Sequence, residues 1–246
     1  MRYSLKFGLF IAVLLLLWEM LVRLLHVDSY TLPAPSAIAT AFITAFPDYK
    51  DDLVPTILLV LAGLLVSIVV GVGMAVMLHL IPALEPFIYP LLVVSQNVPV
   101  IVIAPLLVIW FGFGLLPKLI VITLVCFFPV TVSLLEGFRS VDQDLRKYML
   151  IAGASRMQIF RKLEWPGSMP FLFNGLKIAG TYSVMGAIIS EWLGSDKGLG
   201  KYMIIAQRAF QVDRVFVALV WIVIFALVIF SVIKVLEKLT VRWKHD

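Results

Sequence analysis

Cysteine, charge and histidine are scarce in this chain, and each scarcity closes off a class of chemistry. The single cysteine, Cys126, sits inside an apolar run, so no disulfide framework is possible and a reactive thiol is not expected. Only 14% of residues are charged, where a soluble globule carries about a quarter. The three histidines, His26, His79 and His245, lie far apart and lack the spacing of a metal site. There is no G-x-x-x-x-G-K-S/T phosphate loop, so the chain itself is not expected to hydrolyse ATP. No catalytic constellation takes its place.

Apolar side chains fill the space that charge leaves. At 62% hydrophobic residues and a mean hydropathy of +1.05, the chain cannot hide its apolar surface inside a water-soluble core, and a bilayer is the required solvent. Apolar runs at about 7–25, 55–80, 87–111, 119–135, 171–192 and 215–236 predict an all-α membrane protein of about six spans in one domain, 1–246. Arg2 and Lys6 precede the first run, but it approaches twenty residues and lacks a small-x-small cleavage site. It is therefore read as a retained span rather than a signal peptide.

A net charge of +5 could suggest nucleic acid, but the basic residues gather at span ends, so lipid is expected as the neighbour and no nucleic acid. With both termini inside, the inner segments hold Arg2, Lys6, Arg139, Arg146, Lys147, Arg156, Arg161, Lys162, Lys177, Lys234, Lys238, Arg242 and Lys244. The outer side holds Arg23, Lys50, Lys118, Lys197, Lys201, Arg208 and Arg214. Thirteen against seven accounts for all 20 Lys and Arg and has the sign that cytoplasmic termini require.

Polar residues inside or beside the spans are the next signal. Glu19 and Arg23, spaced i,i+4, read as an interfacial pair. Asp-rich 27–52 reads as an external loop holding a helix 37–46 that Pro47 ends. Ser95-Gln96-Asn97, followed by Pro99 and Pro105, places amides, a hydroxyl and two helix breaks near mid-membrane. Lipid cannot satisfy the carbonyls that prolines free, so this segment faces either neighbouring helices or a water-filled path. Pro129 is expected to kink the fourth span, and Lys177 to snorkel toward the headgroups. Gly180, Thr181, Tyr182, Ser183 and Gly186 make a small polar face suited to lining a cavity. Glu191 reads either as an interfacial acid beside Trp192 or as part of an outer gate. A short external helix is expected over 202–210.

The long polar interval within 137–170 is the centre of the chain's organisation. Leu145 to Ala152 predicts a short helix, Gly153 a bend that a β-carbon would resist, and Ser155 an N-cap for a helix from Arg156 to Leu163. Pro166 and Pro170 are expected to stop that helix before the next span. Met157, Phe160 and Leu163 form an apolar stripe opposite Arg156, Arg161 and Lys162. Spacing alone leaves two readings open: a helix lying on the headgroups and a docking helix for a soluble partner.

Gly153, followed after nine residues by Leu163-Glu164-Trp165-Pro166, resembles the loop signature of the permease subunits of binding-protein-dependent ABC importers, Glu-Ala-Ala-x3-Gly-x9-Ile-x-Leu-Pro. Ala154-Ser155, Gly175-Leu176-Lys177, Ala104-Pro105-Leu106, Trp110-Phe111-Gly112, Glu191-Trp192-Leu193-Gly194 and Gly198-Leu199-Gly200 extend the resemblance over nearly the whole chain. Lys147-Tyr148-Met149 stands where the family has Glu-Ala-Ala, and Trp165 where it has Leu.

The resemblance implies a type I importer permease in the bacterial inner membrane. Its coupling helix, with Lys147, Gly153, Ala154, Ser155, Arg156, Phe160, Leu163 and Pro166, would sit in a cleft of an ATPase subunit that holds ATP and Mg. This chain carries no cofactor of its own on that reading. A permease homodimer and an extracytoplasmic solute-binding protein complete the implied assembly, and Ser95, Gln96, Asn97, Tyr182, Ser183 and Glu191 are the candidate path residues. The branch resembled imports sulfonates, taurine, nitrate and thiamine-pyrimidine precursors; Val125-Cys126-Phe127-Phe128-Pro129 looks most like the pyrimidine-precursor permeases. A membrane enzyme lacks convergent acids or histidines, and a stand-alone carrier lacks an evident proton relay.

Overall fold

The computed structural model describes residues 2–241, with side chains for residue 6 and residues 8–241. Arg242, Lys244 and His245, and the side chain of Arg2, lie outside the described residues. All the regular elements described are helical. They are α1 (Arg2–Leu24), α2 (Pro35–Thr44), α3 (Phe46–Leu80), α4 (Glu85–Asn97), α5 (Val100–Phe111), α6 (Leu115–Arg139), α7 (Gln143–Ile151), α8 (Arg156–Ile159), α9 (Trp165–Trp192), α10 (Leu199–Arg208) and α11 (Val212–Thr240).

Among the described residues four helices are long and apolar enough to cross a bilayer: α3, α6, the continuous stretch Arg156–Trp192, and α11. The helix pair Pro82–Asn97 and Val100–Phe111, bent by 99°, would make a fifth. In α1 an exposed apolar run from Leu9 to Leu17 occupies the place expected for the first span.

The core lies where α3, α6, α9 and α11 meet, around Val60, Ile122, Val130, Ala179, Val184 and Ile233. Lipid supplies no hydrophobic drive between helices, so close backbone approach carries the packing. A β-carbon on Gly71 would stand 2.8 Å from the Phe127 carbonyl, and one on Gly175 2.7 Å from that of Pro129. Cys126 is fully buried in this core, its Sγ 3.3 Å from the Ala179 carbonyl.

Several proline readings are corrected. Pro47 does not end a helix: α2 stops at Thr44, and Pro47 occupies the first turn of α3, where its missing N–H costs nothing. Pro55 is interior to α3 rather than its start. At 35 residues α3 is about 52 Å long, so its first turns, with Asp48, Asp51 and Asp52, stand beyond a core of about 30 Å. Stretch 87–111 is built as two helices, α4 and α5, broken at Val98-Pro99, while Pro105 stays inside α5. Pro117 and Lys118 belong to α6 rather than to a turn, and α6 runs as one helix through Pro129.

Pro166 and Pro170 do not separate the coupling helix from the fifth span. Phe160–Glu164 is wound as a π-turn, in which the Trp165 N–H donates to the Phe160 carbonyl, and the chain runs on as helix to Trp192. The wider winding absorbs the donor that Pro166 lacks, a local adjustment characteristic of π-bulges. Lys177 pairs with Glu237 of α11 at 2.5 Å.

Candidate functional site

At one end of the bundle the segment 142–164 folds much as its residues dictate. Asp142 caps α7 by accepting from the Asp144 and Leu145 amides. Gly153 turns the chain at φ +81, with the Gly153 N–H donating to Leu150 and the Ala154 N–H to Met149. Ser155 then caps α8 in a complete capping box: its hydroxyl accepts from the Gln158 amide, and the Gln158 side chain accepts from the Ser155 amide. The tip is apolar and bare. Tyr148 is 70% exposed and Ile151 87% exposed, with Leu150 and Met157 beside them. Lys147 is exposed and, among the described residues, pairs with Asp144 at 3.1 Å.

Not every residue of the expected stripe faces outward. Phe160 is half-buried against Phe138, Trp165 and His79, with ring centroids 5.7, 6.0 and 5.9 Å away. Leu163, Pro166 and Ala154 are half-buried, while Ser155 and Arg156 are exposed. The segment therefore presents α7 and the Gly153 turn and uses Phe160 to hold itself to the bundle.

A polar joint beneath it was not legible in the sequence. The π-turn places Glu164 inside the protein, 4% exposed. Its carboxylate stands 2.7 Å from Nε2 of His79 in α3 and 3.2 Å from Nε of Arg146 in α7. The His79 ring stacks on Phe138 of α6 at 4.4 Å. One carboxylate thus joins the inner ends of three elements to the start of α9. Only Glu164 stood in the loop signature; its partner His79 is 85 residues away.

The opposite end of the bundle has a second such joint. Three successive amides at the start of α10 are held by side chains from elsewhere: Gly198 N–H by Asp52 Oδ1 at 2.7 Å, Leu199 N–H by Thr56 Oγ1 at 2.8 Å, and Gly200 N–H by Glu191 Oε2 at 2.7 Å. The Thr56 hydroxyl in turn donates to Glu191 Oε1 at 2.8 Å. Gly198 has φ +121, and a β-carbon there would overlap the Glu191 carboxyl, so the clamp itself requires glycine at the head of the Gly198-Leu199-Gly200 run. Glu191 is 2% exposed, held inside the protein by these bonds. Tyr49, Tyr202, Phe42 and Trp221 pack on one another where α2, α3, α10 and α11 meet. Burial pushes the Tyr202 phenol up to about 12, so it stays neutral.

The expected path residues divide. Ser183 is fully buried and donates to the Gly180 carbonyl. Tyr182 lies on the opposite, uncovered side of α9 with Ile178 and Met185. Ser95 donates to Leu92, and exposed Asn97 to Val93. Gln96 reaches the Leu124 carbonyl of α6 at 3.3 Å. Gln96, Asn97 and Tyr182 therefore remain uncovered on a single copy, whereas Ser183 and Glu191 are committed to internal bonds. Among the described residues no group of His, Cys, Asp and Glu is placed to hold a metal ion.

The family described as binding-protein-dependent transport system inner membrane component matches residues 63–242. The chain is 32% identical over 237 residues to the formylaminopyrimidine transport permease protein ThiX of Halalkalibacterium halodurans, covering 96% of this chain and 94% of that protein. It is 31% identical over 234 residues to the riboflavin transport system permease protein RibX of Chloroflexus aurantiacus, covering 94% and 87%. Among solved structures, an inward-facing MetNI methionine ABC transporter shares the fold, with a TM-score of 0.66 at 18% identity over 77% of this chain and 94% of that one. An all-helical bundle with these matches, and with a capped turn at Gly153 between α7 and α8, belongs to the binding-protein-dependent transport system inner membrane components: the chain is the membrane-spanning permease of an ABC importer.

Proposed function

We propose that this permease works as a homodimer with both termini in the cytoplasm and carries a thiamine-pyrimidine precursor, such as hydroxymethylpyrimidine or formylaminopyrimidine, inward. An extracytoplasmic binding protein delivers the cargo to the outer face. Two ATPase subunits, which hold ATP and Mg, dock on the α7–Gly153–α8 tips. The observation that carries the docking is the bare apolar tip around Ile151 on a segment rich in Arg and Lys, because a large exposed apolar group in water marks an interaction surface. Lys147, Gly153, Ala154, Ser155 and Arg156 surround that surface. Phe160, Leu163 and Pro166 transmit its movement into α9. ATP binding favours the permease state in which the two tips are drawn together, and the bundle follows.

Support for the cargo comes from two sides. ThiX and RibX are each named for a nitrogen heteroaromatic. The uncovered candidates for the path, Gln96, Asn97 and Tyr182, offer amides and a phenol, groups that hydrogen-bond a neutral ring, and no basic side chain for a sulfonate. The test is ATPase activity of the permease, reconstituted in lipid with its ATPase and binding protein, during titration with pyrimidine precursors, riboflavin and alkanesulfonates. Stimulation by a pyrimidine supports both importer and cargo. Stimulation by a sulfonate replaces the cargo, and failure of any ATPase subunit to associate refutes the docking.

A further inference from the structure

Behind the coupling segment, a cavity of about 150 Å³ opens between the inner ends of α3, α6, α7 and α8. Its charged lining is Arg139, Arg146 and Arg156 with Glu85 and Glu164, and His79 completes the wall. Arg139 pairs with Glu85, and Glu164 is taken up by His79 at 2.7 Å. The other two guanidiniums are left with less. Arg146 Nε is buried and makes no hydrogen bond; at 3.2 Å from Glu164 Oε1 it is close enough to be attracted but its N–H is not directed at the oxygen. Arg156 reaches only the His79 carbonyl, at 3.4 Å, and has no carboxylate at ion-pair distance among the described residues.

We propose that this cavity binds a phosphate group. Three guanidiniums face two carboxylates, so the lining keeps an excess of positive charge, and the forks of Arg146 and Arg156, neither hydrogen-bonded to a carboxylate among the described residues, are available to an anion. Phosphate matches the need: it offers several acceptor oxygens to planar guanidinium forks. The space equals roughly five liquid-water volumes, room for one tetrahedral anion and a water. Depth points the same way, because His79 and Arg139 close the inner ends of α3 and α6, the level at which anionic headgroups meet basic pockets between spans. A phosphate there bridges Arg139 of α6 to Arg146 and Arg156 of the coupling segment and so holds that segment against the bundle.

The phosphate can come from a lipid headgroup or from solution, and one set of titrations separates them. The purified full-length permease is delipidated in detergent and titrated with phosphatidylglycerol, phosphatidylcholine or inorganic phosphate, and occupancy is read by native mass spectrometry. Retention of phosphatidylglycerol over phosphatidylcholine assigns the site to anionic lipid; displacement of that lipid by inorganic phosphate assigns it to the free anion. In either case the Arg146→Gln/Arg156→Gln pair weakens binding about tenfold or more, and Glu85→Gln, which frees Arg139, tightens it. Opposite signs guard against a variant that simply fails to fold. Unchanged affinity in both variants overturns the site. So does loss of ATPase association with phosphate and lipid binding intact, which would make the arginines part of a protein interface.

Discussion

Replacing Thr56 by Val removes one oxygen from the middle of the outer clamp while keeping the branched shape. That oxygen donates to Glu191 Oε1 and accepts from the Leu199 amide, each at 2.8 Å, and the residue is fully buried. The Thr56→Val change leaves the Leu199 N–H without a partner and strips the Glu191 carboxylate of one donor. The orphaned Leu199 N–H costs about 1–3 kcal/mol and the donor lost to Glu191, which keeps the Gly200 N–H, about 1 kcal/mol more, so the opening of the start of α10 is eased by roughly 2–4 kcal/mol. Hydrogen exchange of the amides 198–200 then speeds up roughly 30- to 1000-fold relative to wild type. Thr44→Val serves as the control, since its exposed hydroxyl only back-bonds to the Thr40 carbonyl. The measurement is deuterium uptake by the 198–202 segment in detergent or nanodiscs. Equal protection in the Thr56→Val variant and wild type would falsify the clamp as the anchor of α10.

The remaining expectations concern the other end of the bundle. Gly153→Pro cannot reach the φ of +81 found there and deletes the amide bonded to Leu150; insertion and ATPase association persist while uptake is lost, and normal uptake would sink the coupling reading. For the buried joint, a double-mutant cycle of Glu164→Ala and His79→Ala, read as thermal stability in detergent, returns a coupling of about 1–3 kcal/mol. A cycle that sums to zero means the 2.7 Å contact contributes nothing.

Structure that depends on near neighbours along the chain was readily legible. Ser155 capping α8 through Gln158, Gly153 turning with positive φ, and the break at Pro99 are each decided by side chains within a few residues, so the pattern carries the conformation. The proline readings failed for a related reason. Pro166 and Pro170 are breakers in an isolated helix, but a π-turn over Phe160–Glu164 rewinds the hydrogen bonds, and burial of Pro170 against the bundle holds the helix together. Stability of a transmembrane helix comes from its neighbours as well as from its own bonds.

Composition alone determined that this chain lives in a bilayer, since 62% hydrophobic residues have no other solvent, and the spacing of charge marked which loops were candidates for water. Which polar groups would meet inside was another matter. Burial obliges Glu164, Glu191 and Thr56 to find partners, yet the partners lie 85 residues away for Glu164 with His79 and 135 for Thr56 with Glu191. Only the packing of α3 against α6 and α9 brings them together. The obligation to pair is written in the side chain; the identity of the partner belongs to the folded bundle.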